Sequence, residues 1–389
     1  MIRIAKRDFL AAISIILSMY FMFSPFEDIL VTNIGTISKG LAVLTVFFIL
    51  LFMLSFNQKV NIASKHFVFS MLFLIITWIS ILFSKYVTQS ISMAITYSSL
   101  IGLYLFISFV PFSSNNIKML KKAIELSGIF VFFYMILSGG IDFSRFSLSS
   151  NNDPNNLAAF MLAPIFVSLN NIFEEKKNSL SIISFILSMV ILLLTGSRGA
   201  FLSLILGFVT WLFLNIKKIR QIVFFIPVVI LIVVILGSLE SVQNIIYRVI
   251  NIESYIYDIT LYGSRIHIWT IVLNDLIPNM SIWGYGVGNS SFELIPYFGY
   301  AYGIHNTYLN SLIEFGVIGF IVFLAFIGNI LKDSFKFSKN SLLIGLLVSI
   351  FVVIFFLDSL PKKYFWNVLF IMLIINNKER NLRNENPDY

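Results

Sequence analysis

Apolar runs long enough to cross a bilayer recur along almost the whole chain, separated by short polar breaks. Runs near 9–26, 34–55, 66–84, 88–110, 121–139, 157–173, 178–194, 199–215, 220–238, 306–330, 341–357 and 362–376 predict helices. A span needs roughly 17 residues or more, so the last run falls short of the usual minimum. No heptad pattern or internal repeat interrupts the series. The expectation is an all-α, polytopic integral membrane protein of about 12 transmembrane helices forming one membrane domain over 1–389. One stretch breaks the pattern. Residues 239–305 hold no spanning run and are rich in Asn, Tyr, Gly and Ser. A connection this long is usually functional or a small subdomain. Within it Ser241–Ile250 (SVQNIIYRVI) has apolar residues at helical spacing, which predicts a short interfacial helix.

Composition excludes the soluble alternative. Of the 389 residues, 58% are hydrophobic and only 12% charged, about half the charged share of soluble domains. Mean hydropathy is +0.91. With no cysteine there is neither a disulfide nor a thiolate metal site. The net charge of +8 reads as basic loops facing anionic lipid rather than as nucleic-acid binding. The basic start, Arg3, Lys6 and Arg7, precedes an apolar run without a small-residue cleavage site, so a retained first helix is expected. With the N-terminus in the cytoplasm, alternation places 19 of the 27 Lys and Arg residues inside and 8 outside, in keeping with the positive-inside rule. The long loop is then extracytoplasmic, as is 139–156.

The outer arginines change the functional picture. Arg198 lies in Thr195-Gly196-Ser197-Arg198-Gly199, between two apolar runs and at a helix start. Backbone N–H groups and the helix dipole favour an anion there, and an arginine adds a bidentate grip suited to phosphate. The competing reading is a snorkelling arginine that ends a helix. Arg265 lies in Gly263-Ser264-Arg265-Ile266-His267-Ile268-Trp269, and Arg145 in Phe143-Ser144-Arg145-Phe146. Arg248 fits an ion pair or the interfacial helix. Two arginines near the outer surface match a lipid diphosphate. His305 stands in Ile304-His305-Asn306-Thr307-Tyr308, where the loop re-enters the membrane, and imidazole titrates where a general base is useful. His66 reads as structural, and His267 as either. Glu314, about 13 Å deeper and on the opposite helix face, reads as paired or protonated. Trp283-Gly284-Tyr285-Gly286-Val287-Gly288 reads as a flexible turn. No P-loop, zinc motif or paired outer carboxylates are present, so neither nucleotide cofactor nor metal is expected.

Taken in order, these stretches resemble the O-antigen polymerase and ligase superfamily of bacterial polysaccharide assembly. Thr195–Ala200 is similar to its T-x-S-R-G/A signature, Gly263-Ser264-Arg265 with Trp269 to its second arginine motif, and Trp283–Gly288 to its G-x-G turn. His305-Asn306-Thr307-Tyr308-Leu309, followed by Glu314, Gly316 and Gly319, is similar to its H-N-x-x-L-x-x-x-x-E-x-G-x-x-G stretch. The likeness covers mainly 190–320, with Asp153-Pro154-Asn155-Asn156 upstream. It implies a fold of the C-type glycosyltransferase kind and a site on the extracytoplasmic face of the bacterial inner membrane. The donor it implies is an oligosaccharide on undecaprenyl diphosphate. Arg198, Arg265 and His305 match its catalytic positions, and Arg145, Ser197, Asn306 and Tyr308 are expected to contact substrate. A chain-length regulator protein is a further partner. A polymerase adds to another lipid-linked repeat unit, a ligase to lipid A core, and the aromatic outer surface with Asp-Pro-Asn-Asn favours the polymerase. The alternative of a different class is a flippase for lipid-linked oligosaccharide, although no duplicated halves are visible.

Overall fold

The computed structural model describes residues 2–32, 35–57, 64–138, 145–149, 153–174, 178–215, 243, 263–338 and 340–385. The expected ninth span (220–238), the interfacial helix at 241–250 apart from Gln243, and Arg248 lie outside the described residues.

Among the described residues the fold is helical apart from a two-residue antiparallel pair, Val31–Thr32 with Gly35–Thr36. Eleven of the twelve expected runs form helices. They are α1 (Ile2–Phe23), α2 (Ile37–Ser55), α3 (Lys65–Ser80), α4 (Val87–Ser108), α5 (Ser114–Leu137), α6 (Pro154–Glu174), α7 (Ser179–Thr195) and α8 (Arg198–Leu214). After a short helix of the long loop, α9 (Arg265–Ile271), come α10 (Thr307–Phe337), α11 (Ser341–Val353) and α12 (Lys363–Glu385). Six of them, α1 to α4, α6 and α10, are long and apolar enough to cross a membrane, and α7, α8 and α11 are shorter apolar helices. The chain is a polytopic membrane protein.

Helix starts follow the polar residues between apolar runs. Ser64, Ser113, Asn178, Ser197 and Asn306 each accept a backbone N–H in the first turn, which satisfies donors the helix cannot. Gly196, at φ 59°, ends α7 in the left-handed conformation glycine adopts without cost.

The run that fell short of a span turns out to be the centre of the bundle. In α12, residues from Tyr364 to Ile375 are all buried, most of them completely apart from Asn367. A helix apolar on every face is buried on every face. α12 packs against α4, α10, α11 and α6. On one flank, α8 meets α11 through small residues. A Cβ on Gly207 would lie 2.6 Å from the Gly345 carbonyl, and Ser349 Oγ donates to the Ser203 carbonyl at 2.7 Å. Gly199, Ser203 and Gly207 at four-residue spacing let the backbones approach closely, which sets the position of the α8 N-terminus.

The described part of the long loop is ordered around its own apolar cluster. α9 (Arg265–Ile271) continues through a π-helical turn, Val272–Leu276, to Ile277–Asn279. Ile268, Val272, Leu294 and Ile304 are buried with Ile313 of α10. The glycine-rich turn, expected to be flexible, is buried and hydrogen-bonded. Tyr285 N donates to the Ile313 carbonyl at 2.8 Å and Gly286 N to that of Glu314 at 3.1 Å. Val287 N donates to Ser80 Oγ at 3.2 Å, and Trp283 stacks on Phe83 at 5.7 Å. The turn thus wedges between α10 and the α3–α4 connection. Glu293 is half-buried here, and desolvation raises its carboxyl above the usual range while Lys85 draws it partly back. A raised carboxyl means the fold favours the protonated form, so this contribution is present in acid and lost as pH rises through the folded value. Glu293→Gln is expected to raise the melting temperature above neutral pH and leave it unchanged in acid, as a thermal-melt series would show.

Candidate functional site

The candidate residues gather at one end of the bundle around the segment Ile354–Leu360, between α11 and α12. His305 immediately precedes α10. Its φ of 53° is left-handed, a conformation uncommon outside glycine and most often found where surroundings impose it. Here the imposing group is Asp358. One carboxylate oxygen accepts from His305 N at 2.9 Å, and the other from Asn306 N at 3.2 Å. His305 Nδ1 lies 4.0 Å from the first of these oxygens, and both side chains are partly exposed. Thr307 locks the same joint. Its N–H donates to the Ile354 carbonyl at 2.8 Å, its hydroxyl donates to the Leu357 carbonyl at 2.5 Å, and the hydroxyl accepts from Ser359 N at 2.9 Å.

The arginine-bearing helices reach the same segment. A Cβ on Gly199, next to Arg198, would lie 3.1 Å from the Phe356 side chain. Trp269, one turn after Arg265, packs edge-on against Phe355 at 5.3 Å and donates its indole N–H to the Ile304 carbonyl at 2.9 Å. Arg198 and Arg265 are both the first residue of a helix with a serine cap, Ser197 and Ser264. Arg145 joins from the side. Its Nε donates to the Thr195 carbonyl at 3.2 Å and a terminal nitrogen to Asn155 Oδ1 at 3.0 Å. Asp153 Oδ1 holds Asn155 through its backbone and side chain, at 2.9 and 2.8 Å. The Asp-Pro-Asn-Asn segment is therefore the brace of Arg145 against the Thr195–Gly196 turn.

Like Arg145, the other three residues expected to touch substrate have visible structural duties. Ser197 is buried and caps α8, accepting from Ala200 N at 3.4 Å. Asn306 caps α10, accepting from Tyr308 N at 3.0 Å and Leu309 N at 3.1 Å. The Tyr308 hydroxyl donates to the Phe351 carbonyl at 2.8 Å, which directs the ring down the bundle. His267, left open by the sequence, accepts from Gly263 N at 3.1 Å through Nδ1, so it holds the turn before Arg265. Its neighbour Tyr302 donates to the Gly263 carbonyl at 3.3 Å and meets the His305 ring edge-on at 6.2 Å. His66 is structural as expected, with Nε2 on Asp333 at 2.8 Å and Nδ1 on the Tyr104 hydroxyl at 2.9 Å. Glu314 is buried, accepting from Ser290 at 2.9 Å and Tyr97 at 3.4 Å. These partners are hydroxyls, so of the two expected readings, paired or protonated, the ion pair is not what these contacts form.

Asp358 is the residue sequence reading missed. The only signal was a lone carboxylate closing an apolar run, Phe355-Phe356-Leu357-Asp358, and such a charge at a membrane boundary needs a partner.

A polytopic helical membrane protein with arginines, a histidine and an aspartate at one end of its bundle is thereby defined. Residues 183–324 match the family model described as O-antigen ligase. The match spans both arginine motifs, the glycine turn and the His305 stretch, and it supports placing the chain in the O-antigen polymerase and ligase superfamily. No curated protein matches the sequence. The family supports a glycosyltransferase-like polymerase or ligase activity on lipid-linked oligosaccharide in a membrane.

Proposed function

We propose that the chain is a polysaccharide polymerase that moves a glycan from undecaprenyl diphosphate onto the hydroxyl of another lipid-linked repeat unit. The observation that carries this reading is the shared end of the bundle: Asp358 holds His305 in a left-handed backbone, while the α8 and α9 starts pack on the same segment. In the reaction the acceptor oxygen forms a bond to the anomeric carbon of the donor, and the bond from that carbon to the diphosphate breaks. The electron pair leaves with the diphosphate, where Arg198 and Arg265 stabilise the growing charge. The acceptor proton passes to His305. Diphosphate leaves without a general acid, so the step calls on neither metal nor nucleotide. Arg145, Ser197, Asn306 and Tyr308 border the substrate. The site end faces the outside of the bacterial inner membrane, and a chain-length regulator is the partner this reading adds.

Purified protein in liposomes, supplied with lipid-linked repeat units and no core acceptor, should produce a ladder. The family description favours a second reading, transfer to lipid A core. Product formed only when core acceptor is added would replace the polymerase with the ligase.

Asp358 enters the reading as a positioning residue. Asp358→Ala removes both acceptors that set the His305 backbone, and a displacement of about 1 Å can cost about 10²-fold in rate. We expect that loss in kcat with little change in KM, and a partial loss for Asp358→Asn, which keeps one acceptor oxygen. A wild-type kcat in Asp358→Ala would separate Asp358 from the reaction.

A further inference from the structure

The far end of α10 carries a second polar cluster that glycan transfer does not use. There α3 begins, α4 and α10 end, and the last turns of α12 pass between them. The start of α3, the end of α4 and α12 enclose a cavity of about 320 Å³, lined by Ser64, His66, Phe109, Asn377, Arg380 and Asn381 among others. Asp333 accepts from both His66 and Arg380. A guanidinium has five N–H donors, and the Asp333 contact occupies one nitrogen while the group lines the cavity.

A second observation is independent of the cavity. Three cations surround the ring of Phe337: Arg380 at 4.8 Å, Lys336 at 5.1 Å and Arg383 at 5.7 Å from its centroid. Each is attracted to the ring face, yet together they repel one another. Among the described residues Asp333 is the acid ion-paired with this cluster, through Arg380, so there three positive charges meet one negative. Such a surplus is relieved by an anion.

The surroundings say what kind of anion. Ser64 lines the cavity, and Val68, Leu72 and Ile75 follow it at helical spacing on α3, all exposed. α3 is long and apolar enough to cross a membrane, so this stripe leads from the cavity along a surface facing lipid. The distribution of Lys and Arg places this end at the cytoplasmic leaflet, whose lipids are anionic.

We propose that this end of the molecule binds the phosphodiester headgroup of an anionic phospholipid. Arg380, Arg383 and Lys336 supply the charge, the Asn377 and Asn381 amides donate to the phosphate oxygens, and an acyl chain lies along Val68, Leu72 and Ile75.

The test is native mass spectrometry of the full-length protein in neutral detergent, with phosphatidylglycerol, phosphatidylcholine or glycerol 3-phosphate added. The variant is Lys336→Gln with Arg383→Gln, which leaves the His66–Asp333–Arg380 network intact. Phosphatidylglycerol should bind and resist competition by phosphatidylcholine. Each interfacial cation contributes about five-fold toward an anionic lipid, so the double variant should bind roughly 30-fold more weakly. Should the double variant fail to fold, the single Arg383→Gln variant should show roughly a five-fold loss. Equal binding of phosphatidylcholine, or undiminished binding of phosphatidylglycerol by the variants, overturns the proposal. Glycerol 3-phosphate binding as tightly as the lipid would overturn it as well, by making the ligand a soluble phosphate ester.

Discussion

Replacing His305 by Asn is expected to reduce glycan transfer by about 10²–10⁴-fold, the range a positioned acid–base group supplies, while the protein still inserts. Asparagine is the informative substitution because it tolerates the left-handed φ of 53° found here. The loss then reports the missing imidazole and not a displaced backbone. Arg198→Ala should cost about 10²–10³-fold, as removal of one preorganised charge stabiliser does. Arg198→Lys should recover part of it, because lysine keeps the charge but cannot grip two oxygens in parallel. The measurement is polymer length and yield in cells, alongside turnover in liposomes. Normal polymer from either the His305→Asn or the Arg198→Ala strain would remove these residues from the reaction.

Gly316→Ala should produce the largest loss of stability. Gly316 interrupts α10 with φ 65° and ψ −170°, a conformation open essentially to glycine alone. A Cβ there would also run into the Ile282 carbonyl and the Gly284 N–H. Gly284 faces the same constraint from the other side, with φ 77° and its own Cβ 2.5 Å from Gly316 N and from the Ile313 carbonyl. Two backbones touch, and neither has room for a methyl group. Positive φ in alanine costs roughly 1–2 kcal/mol, and the backbone collision brings the total to about 3 kcal/mol or more. Thermal unfolding in detergent should show Gly316→Ala melting well below the parent with a poorly monodisperse elution profile. Gly299→Ala carries positive φ but meets open space, so it should lose only the backbone part. Gly328→Ala, helical and unobstructed, should be near neutral. A Gly316→Ala protein as stable as Gly328→Ala would mean the glycine turn does not anchor the cap.

The helices were legible because burial in lipid demands long apolar runs, and those runs survive inspection one residue at a time. Most of their starts were legible to within three residues because capping is local: Ser197, Asn306 and Ser64 act on N–H groups three residues away or fewer; α1 and α5 begin seven residues before their apolar runs, on polar and basic turns that hydropathy does not count. α12 was undervalued for the opposite reason. Hydropathy counts length and polarity, and the charged second half of Lys363–Glu385 masks a first half that every neighbour surrounds. The glycine turn was mistaken for a mobile one because glycines look alike in sequence whether they confer freedom or permit contact. Gly284 and Gly286 do the second, against Gly316 and Ser84.

The candidate site divides the same way. Arg198, Arg265 and His305 stood out in the sequence because a charge or an imidazole beside an apolar run is costly. Which of these groups share an end of the bundle was a matter for the tertiary structure, since Gly199 meets Phe356 and His305 meets Asp358 only through contacts of high sequence separation. The chain's own order therefore determined a membrane protein, its helices and the candidate side chains, all of which depend on transfer from water to lipid and on neighbours a turn away. Folding in space decided that Asp358 sets the His305 backbone and that Asn306, Ser197 and Tyr308 are engaged in the scaffold. Hydrogen bonds between residues some fifty positions apart leave no periodicity behind for a linear reading to find.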